Sequence, residues 1–423
     1  MNNIRPFGRK GTNISMNTTQ KKALSAEERL ALLFDEGSFT ELFLSSKTSV
    51  IVGKGTVLGK TVYAFSHNTE KDNGAIGKGS YEKIKGLYDL AYKTGDPVVG
   101  IYDSFGAKIT ETEDSLRAMA EIYKKIGTLS GVIPQISLVL GTCVGSMALA
   151  ALSADLVVAT KDSDFRSRSV SYKAENEEDA IETVRSILDK LPSNNLTDGD
   201  IFEWTDKTFV IPNETKEYAG LLADEMSSTP LYEGEVIADL CTVRGVPALV
   251  LGFFGEIDKD KAAIYSRLVR LADAYSLPII TLVDKAQASV DVQISDLYKA
   301  FSVATTPKIS VVLGEAFGSV LSGYVLSGSD FTVAVENAVI SAAKPASAAY
   351  LLYSDEMEGE SEDEALKKIT EKYISEYASA SKMCENGLIS FVTEPKDLKG
   401  KISAYLDVLA SKKETTLPKK HSI

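Results

Sequence analysis

Two pairs of turns, three of the four bearing glycine, are the residues best placed to do chemistry in this sequence. The first pair is Asp103-Ser104-Phe105-Gly106-Ala107-Lys108 with Gly141-Thr142-Cys143-Val144-Gly145-Ser146. The second is Asp284-Lys285-Ala286-Gln287-Ala288 with Gly314-Glu315-Ala316-Phe317-Gly318-Ser319. Each turn follows an apolar run, and the second turn of each pair opens a small-residue helix. Helix N-termini present unpaired N–H groups and a partial positive charge. In α/β sheets, ligands collect at the carboxyl ends of the strands. Two such turns side by side can aim two amides at one developing oxyanion or ring carbonyl, and losing one such donor costs an enzyme about 10²–10³ in rate. Glycine lets backbone approach a ligand closely. Taken singly, any of these glycines can equally serve its turn and nothing more.

Other chemistries are poorly supplied. The only histidines are His67 and His421, so a nucleophilic triad would have to use His67,. No CxxC, HExxH or histidine cluster is present, which argues against a metal site,. Cys143, Cys241 and Cys384 are odd in number and far apart, which favours a reducing, cytoplasmic setting over a disulfide framework,. A general acid–base pair would have to come from carboxylates such as Glu111 and Glu113, although acids at a helix start commonly serve the dipole. Lys and Arg total 46 against 59 Asp and Glu, a formal charge of −13. That surface argues against nucleic-acid binding, which depends on neutralising phosphates. No apolar run is long enough to insert in a membrane. Residues 1–28 read as a polar tail without the apolar stretch of a signal peptide; an organellar transit peptide is the weaker alternative.

The elements that must position the turns form a repeat. The run Gly53 to Phe65 reads as a hairpin around a Gly-Lys turn, and Val236 to Leu251 has the same shape,. A helix follows in each half, with Tyr81, Ile84, Leu87, Tyr88 and Ala91 on one face, and Ile264, Leu268, Leu271, Ala272 and Tyr275 on the other's,. Then come the buried-type strands Pro97 to Asp103 and Pro278 to Asp284, proline and aspartate six positions apart in both. A second strand and turn run from Pro134 to Gly145 and from Pro307 to Gly318, eleven positions each. Third strands begin at Asp155 and Asp330. Apolar strands alternating with helices indicate an α/β fold with sheets buried on both faces. The linker is the polar stretch 193–200, and the acidic run 355–364 reads as a solvated loop or helix start,. We place domains at 29–205 and 206–423, after the 1–28 tail.

At these residues the chain resembles the biotin-dependent acyl-CoA carboxyltransferases, the family of propionyl-CoA carboxylase β subunits in the crotonase superfamily. The likeness opens at Arg29-Leu30-Ala31-Leu32-Leu33-Phe34-Asp35-Glu36-Gly37-Ser38-Phe39 and continues through Ser130-Gly131-Val132-Ile133-Pro134-Gln135 and Leu191-Pro192-Ser193-Asn194-Asn195. In the second half it includes Asp260-Lys261-Ala262-Ala263, Leu282-Val283-Asp284 and Ala304-Thr305-Thr306-Pro307-Lys308-Ile309, and the tail Pro418-Lys419-Lys420-His421 is similar too. It covers nearly everything from residue 29 on.

The resemblance implies two tandem crotonase-like (ClpP/crotonase) β-β-α superhelix domains. It implies carboxyl transfer between carboxybiotin, carried by a partner protein, and an acyl-CoA, with no metal. In that scheme the biotin ring nitrogen takes the α-proton and the enolate attacks CO₂, so no side-chain base is needed. Amides near Gly106, Ala107, Gly145 and Ser146 would hold the thioester oxygen. Amides near Gly318 and Ser319 would hold the biotin ureido oxygen, with Phe105, Lys108, Ala286, Ala288 and Phe317 lining the ligands. Partners would be a biotin carboxyl carrier and a biotin carboxylase or decarboxylase subunits, in a dimer-based homo-oligomer up to a hexamer; a membrane sodium pump would accompany a decarboxylase.

The sequence also departs from its relatives. Phe105 replaces a family glycine and Lys108 an arginine. Gly-Ser stands for Gly-Gly at both 145–146 and 318–319, the proline-glycine turn after Asp284 is missing, and a glycine-rich segment between Phe165 and Tyr172 is shortened. These changes keep a non-catalytic scaffold or carrier-binding homologue as the alternative, with a crotonase-like hydratase or hydrolase behind it.

Overall fold

The computed structural model describes residues 23–45, 47–165, 170–232, 234–357 and 361–414. Most of the expected tail (1–22), the shortened segment at 166–169, part of the acidic run (358–360) and the family-like ending 418–421 lie outside the described residues. The first half comprises α1 (Ala26–Leu33), β1 (Thr40–Leu42), β2 (Val50–Val57), β3 (Lys60–His67), α2 (Lys78–Thr94), β4 (Val98–Ser104), α3 (Thr112–Leu129), β5 (Gln135–Cys143), α4 (Gly145–Leu152), β6 (Leu156–Thr160), β7 (Tyr172–Ala174) and α5 (Glu177–Lys190). Its seven strands lie side by side in sequence order. The first three are antiparallel and the rest parallel.

Residues 198–212 carry no helix or strand. The second half then repeats the order with α6 (Tyr218–Leu222), β8 (Thr229–Pro230), β9 (Ile237–Val243), β10 (Val246–Ile257), α7 (Lys259–Ala274), β11 (Ile279–Ala288), α8 (Val292–Val303), β12 (Lys308–Val312), β13 (Glu315–Phe317), α9 (Gly318–Val320), β14 (Phe331–Val335) and β15 (Val339–Ser341). It closes with α10 (Pro345–Tyr353), α11 (Glu362–Tyr373), α12 (Ala380–Glu385), β16 (Phe391–Thr393) and α13 (Leu398–Leu409). Seven of these strands again form one sheet, in the order β16-β14-β12-β11-β10-β9-β8.

The repeat extends to individual hydrogen bonds. Both hairpins turn on a residue near φ 50° followed by glycine at φ 82°: Leu58-Gly59 and Arg244-Gly245. These are the two left-handed positions of a type I′ turn, one residue before the Gly-Lys position read from sequence. In the first half Asp35 accepts from the Leu58 amide (3.0 Å), the Gly59 amide (3.0 Å) and Thr56 Oγ1 (2.7 Å). In the second, Asp224 accepts from the Arg244 amide (2.9 Å), the Gly245 amide (2.8 Å) and Thr242 Oγ1 (2.7 Å). The sequence carries this as Asp35-Glu36-Gly37-Ser38 against Asp224-Glu225-Met226-Ser227.

Two expectations change. The second-half strand through Gly314 is not continuous: β12 stops at Val312, and β13 leaves the main sheet to pair with β15. The segment after Asp284 is not a plain turn. β11 continues to Ala288, with Lys285 in the left-handed region (φ 52°) absorbing an extra residue opposite β10. That bulge lets Gln287 and Ala288 stay paired with Glu256 and Ile257,. The acidic run ends as the first turn of α11, where Glu362, Asp363 and Glu364 oppose the helix dipole,.

One core spans both sheets through α5. Ile181, Val184, Ile187 and Leu188 of that helix share a buried cluster with Val62, Ile101 and Leu138 of the first sheet and Leu240 and Leu249 of the second. At its end, buried Lys190 donates to Thr229 Oγ1 across the halves at 2.9 Å. A second bridge joins Tyr275 to Asp155 Oδ2 at 3.0 Å.

Two groups link this packing to pH. Burial holds the imidazole of His67 neutral, lowering its pKa from 6.5 to about 4 against the pull of its bond to the Ile101 carbonyl. Burial alone would raise the Asp35 pKa, but the Gly59 amide, Thr56 hydroxyl, Leu58 amide and Arg185 outweigh it and hold the carboxyl at about 2. In both cases the unfolded chain binds the proton first, so stability falls as pH drops. The His67 part is complete above pH 6.5 and lost towards 4, and the Asp35 part is lost from 3.8 towards 2. We predict that His67→Phe removes the upper limb of the acid-unfolding profile and Asp35→Asn flattens the lower one. Urea midpoints measured from pH 8 to 2.5 check this.

Candidate active site

Near the end of β4, and within β11 just before its bulge, an aspartate reaches to a neighbouring strand. Asp103 Oδ1 accepts the Thr142 amide at 3.0 Å, and Asp284 Oδ1 accepts the Glu315 amide at 2.8 Å. In each half the preceding residue must be glycine. A Cβ on Gly141 would lie 2.3 Å from Asp103 Oδ1, and one on Gly314 would lie 2.0 Å from Asp284 Oδ1. The two aspartates are therefore clasps that hold each pair of turns together.

Beyond the first clasp, Ser104 Oγ donates to the Gly74 carbonyl (2.7 Å) and accepts the Gly106 amide (3.1 Å). Gly106 is left-handed (φ 92°), and a Cβ there would meet the Val144 carbonyl at 3.2 Å, so the two turns touch. The Ile76 amide donates to the Gly106 carbonyl and the Lys108 amide to the Ile76 carbonyl, at 2.8 and 2.9 Å. In that parallel bridge the intervening Ala107 N–H points the other way,. Of the two amides expected in this turn, Gly106 serves the turn itself and Ala107 is the one directed outward.

The opposing turn starts α4. Gly145 is exposed and left-handed (φ 59°), and no side chain caps the helix. Its first N–H groups, including those of Gly145 and Ser146, are thus oriented as anion donors. Tyr123 steadies them by donating to the Ser146 carbonyl at 2.7 Å. Cys143, Val144, Gly145, Ala148, Leu152, Asp164 and Phe165 line an adjoining cavity of about 330 Å³. In the second half Gly318 (φ 61°) begins α9, again without a side-chain cap, and a Cβ there would find only the Ala342 carbonyl, at 4.0 Å. Ser319 is exposed, Phe317 and Ala288 half-buried and Ala286 buried.

The structure gives the side chains other work. Phe105 is 61% exposed beside Gly106. Lys108 pairs with Asp72 (2.9 Å) and Glu111 (3.1 Å). Glu111 caps α2 by accepting the Lys78 amide at 2.8 Å, and that amide, then Lys108, keeps its carboxyl below the usual range. Glu113 lies on the surface against Arg117. These two acids do not form a paired acid–base site. His67 is sealed between Phe65 and Tyr102, with Nδ1 3.0 Å from the Ile101 carbonyl, so it has no access to a substrate. Cys143 and Cys241 are buried, and burial pushes the Cys143 thiol up to about 12. Among the described residues no group of three His, Cys, Asp or Glu is placed to hold a metal, and no helix is long and apolar enough to cross a membrane.

Residues the sequence reading did not single out lie behind the clasps. Buried Arg29 bridges Asp103 and Glu177, and Thr215 Oγ1 donates to Asp284 Oδ2 at 2.9 Å. Their partners are scattered along the chain, and no spacing rule joins them.

Comparison with known proteins agrees with this geometry. The carboxyl transferase domain model matches residues 18–165 and 166–423. Methylmalonyl-CoA decarboxylase subunit alpha of Veillonella parvula is 29% identical over 94% of this chain and 92% of its own. The propionyl-CoA carboxylase beta chain of Saccharopolyspora erythraea is 28% identical over 94% and 89%. The crystal structure of transcarboxylase 12S, a hexamer with methylmalonyl-coenzyme A bound, matches with a TM-score of 0.85 over 95% of this chain and 92% of that one, at 22% identity. The fold is therefore the expected pair of crotonase-like units.

Substituting the carboxylates tests their assignment. Glu111→Gln is expected to lower stability by about 0.5–1 kcal/mol through the weakened cap, and Glu113→Gln to change it by less than about 0.5 kcal/mol. Neither should alter the pH dependence of turnover; a lost limb in either pH–rate profile would restore the hydratase reading.

Proposed function

The chain belongs to the carboxyl transferase domain family, and we propose that it moves a carboxyl group between carboxybiotin on a carrier protein and a short acyl-CoA of the propionyl/methylmalonyl type. The observation that carries this reading is the pairing of the outward Ala107 amide with the uncapped α4 start, the uncapped start recurring at Gly318. Such a site stabilises a developing oxyanion through its backbone amides.

In the first half, the amides of Ala107, Gly145 and Ser146 would hold the thioester oxygen. Negative charge grows there as the α-carbon loses its proton, so these bonds strengthen in the transition state. In the second half, the open backbone at Gly318 and Ser319 fits a flat ring carbonyl, because no side chain crowds that turn. Biotin, when bound, supplies the carboxyl group and the basic ring nitrogen. The chain's own residues would orient the acyl-CoA against it. Phe105, Lys108, Ala286, Ala288 and Phe317 would border the two ligands.

The relatives named above work in opposite directions, decarboxylation and carboxylation, and the transfer step is common to both. We further propose a cytoplasmic, dimer-based homo-oligomer that meets a biotin carboxyl carrier and a biotin carboxylase or decarboxylase subunit. The domains are assigned as 29–205 for acyl-CoA and 206–423 for biotin.

Two glycine substitutions separate the halves. An alanine at φ near 60° is strained by about 1–2 kcal/mol. Gly145→Ala should therefore weaken binding of propionyl-CoA and methylmalonyl-CoA about tenfold while sparing biotin, and Gly318→Ala should do the reverse. Calorimetric titration with each ligand and transfer of label from a carboxylated carrier are the measurements. Absence of heat with every acyl-CoA and with biotin would leave the scaffold reading in place.

A further inference from the structure

The two clasps are alike in their backbone but not in what stands behind them. In the second half, a neutral hydroxyl, Thr215 Oγ1, meets the outer oxygen of Asp284 at 2.9 Å. In the first half that place is taken by a cation. Arg29 has a side chain only 2% exposed, and its Nη1 donates to Asp103 Oδ2 at 3.0 Å. Its Nε and Nη2 donate to the two oxygens of Glu177 at 3.0 and 2.9 Å, the bidentate geometry that fixes a guanidinium plane,. Glu177 is the first residue of α5, where the helix dipole compensates its charge,.

Charge is the reason the difference matters. A bare carboxylate beneath a turn meant to hold a growing negative charge repels that charge, and low-dielectric surroundings enlarge the penalty. Position matters as well. From Asp103 the contacts run to the Thr142 amide, and through Ser104 to the Gly106 amide and, at 3.4 Å, to the Val144 amide. Gly74 packs against the same point; a Cβ there would lie 2.2 Å from the Asp103 carbonyl oxygen. A tilt of Asp103 would therefore move both turns relative to each other.

Resting on the acyl-CoA reading of the first half, we infer that Arg29 is a positioning residue for carboxyl transfer. Clamped by Glu177, it neutralises and orients Asp103, and through Asp103 it sets the spacing between the 104–107 turn and the start of α4.

The test compares the full-length oligomer with Arg29→Met, Arg29→Lys, Asp103→Asn, Glu177→Gln and the Arg29→Met/Asp103→Asn double variant. Misplacement of about 1 Å costs on the order of 10²-fold in rate, so Arg29→Met should lower kcat for transfer by about that factor. KM for the acyl-CoA should stay within about threefold, because the bonds lost are those made in the transition state. Arg29→Lys should recover part of the loss, and the double variant should be no slower than the slower single one. Amide hydrogen exchange gives a readout independent of turnover. Exchange should quicken across 104–107 and 142–146 in Arg29→Met and stay unchanged across 314–319. Unchanged kcat, a rise confined to KM, multiplicative losses in the double variant, or uniform quickening of exchange would each overturn the inference. If Arg29→Met does not fold, Arg29→Lys and Glu177→Gln, which keep side-chain size, carry the same comparison. A wild-type protein that transfers nothing would count against the proposed function, whereas the exchange pattern would still decide the role of Arg29.

Discussion

A carboxylate that reaches past a glycine to the amide that follows it on a neighbouring strand ties the two turns of each half together. Asp103 does so to Thr142 and Asp284 to Glu315. Parallel strands are joined by evenly spaced, slanted hydrogen bonds, and two turns tied through one carboxylate cannot slip independently. The clasp converts two loosely related strand ends into a single rigid edge. Everything the site offers, namely the outward Ala107 amide, the uncapped start of α4 and the open backbone at Gly318, hangs from those two edges.

Much of the architecture was legible because it is periodic. Buried parallel strands read as unbroken apolar runs, and the six-residue spacing from proline to aspartate marks the strand that carries each clasp,. The glycines at 141 and 314 were visible but their reason was not, since it lies in an oxygen thirty or more positions away. The same holds for Arg29, whose partners are at 103 and 177. Sequence counts identified His67 as the one internal histidine without showing that it is walled in by Phe65 and Tyr102. The bulge at Lys285 and the departure of β13 were illegible for a different reason. Each depends on how the paired strand ends, at Glu256 or at Val339, and local propensity carries no record of it.

Comparing the halves separates what the scaffold requires from what has diverged. The Asp35 and Asp224 nets around the hairpin turns are nearly superimposable in their donors. A type I′ turn with a non-glycine residue at φ near 50° is strained, and three donors converging on one carboxylate offset that strain. The edges that carry the clasps differ instead. One is backed by a buried arginine and the other by a threonine; one helix starts from a continuous strand and the other from a strand that has left its sheet. The two halves thus share a common frame and differ at the edges where their paired turns meet.

The placement of α5 has a consequence for how this protein can be divided. The helix belongs by sequence to the first half, yet its apolar face is shared by both sheets, and its last lysine reaches a threonine of the second. The first half closes a separate core of its own between Val50 and Val170, but the cluster around α5 is completed only by both halves together. A chain cut within 198–212 would yield fragments with complementary open faces, each more soluble with the other present than alone.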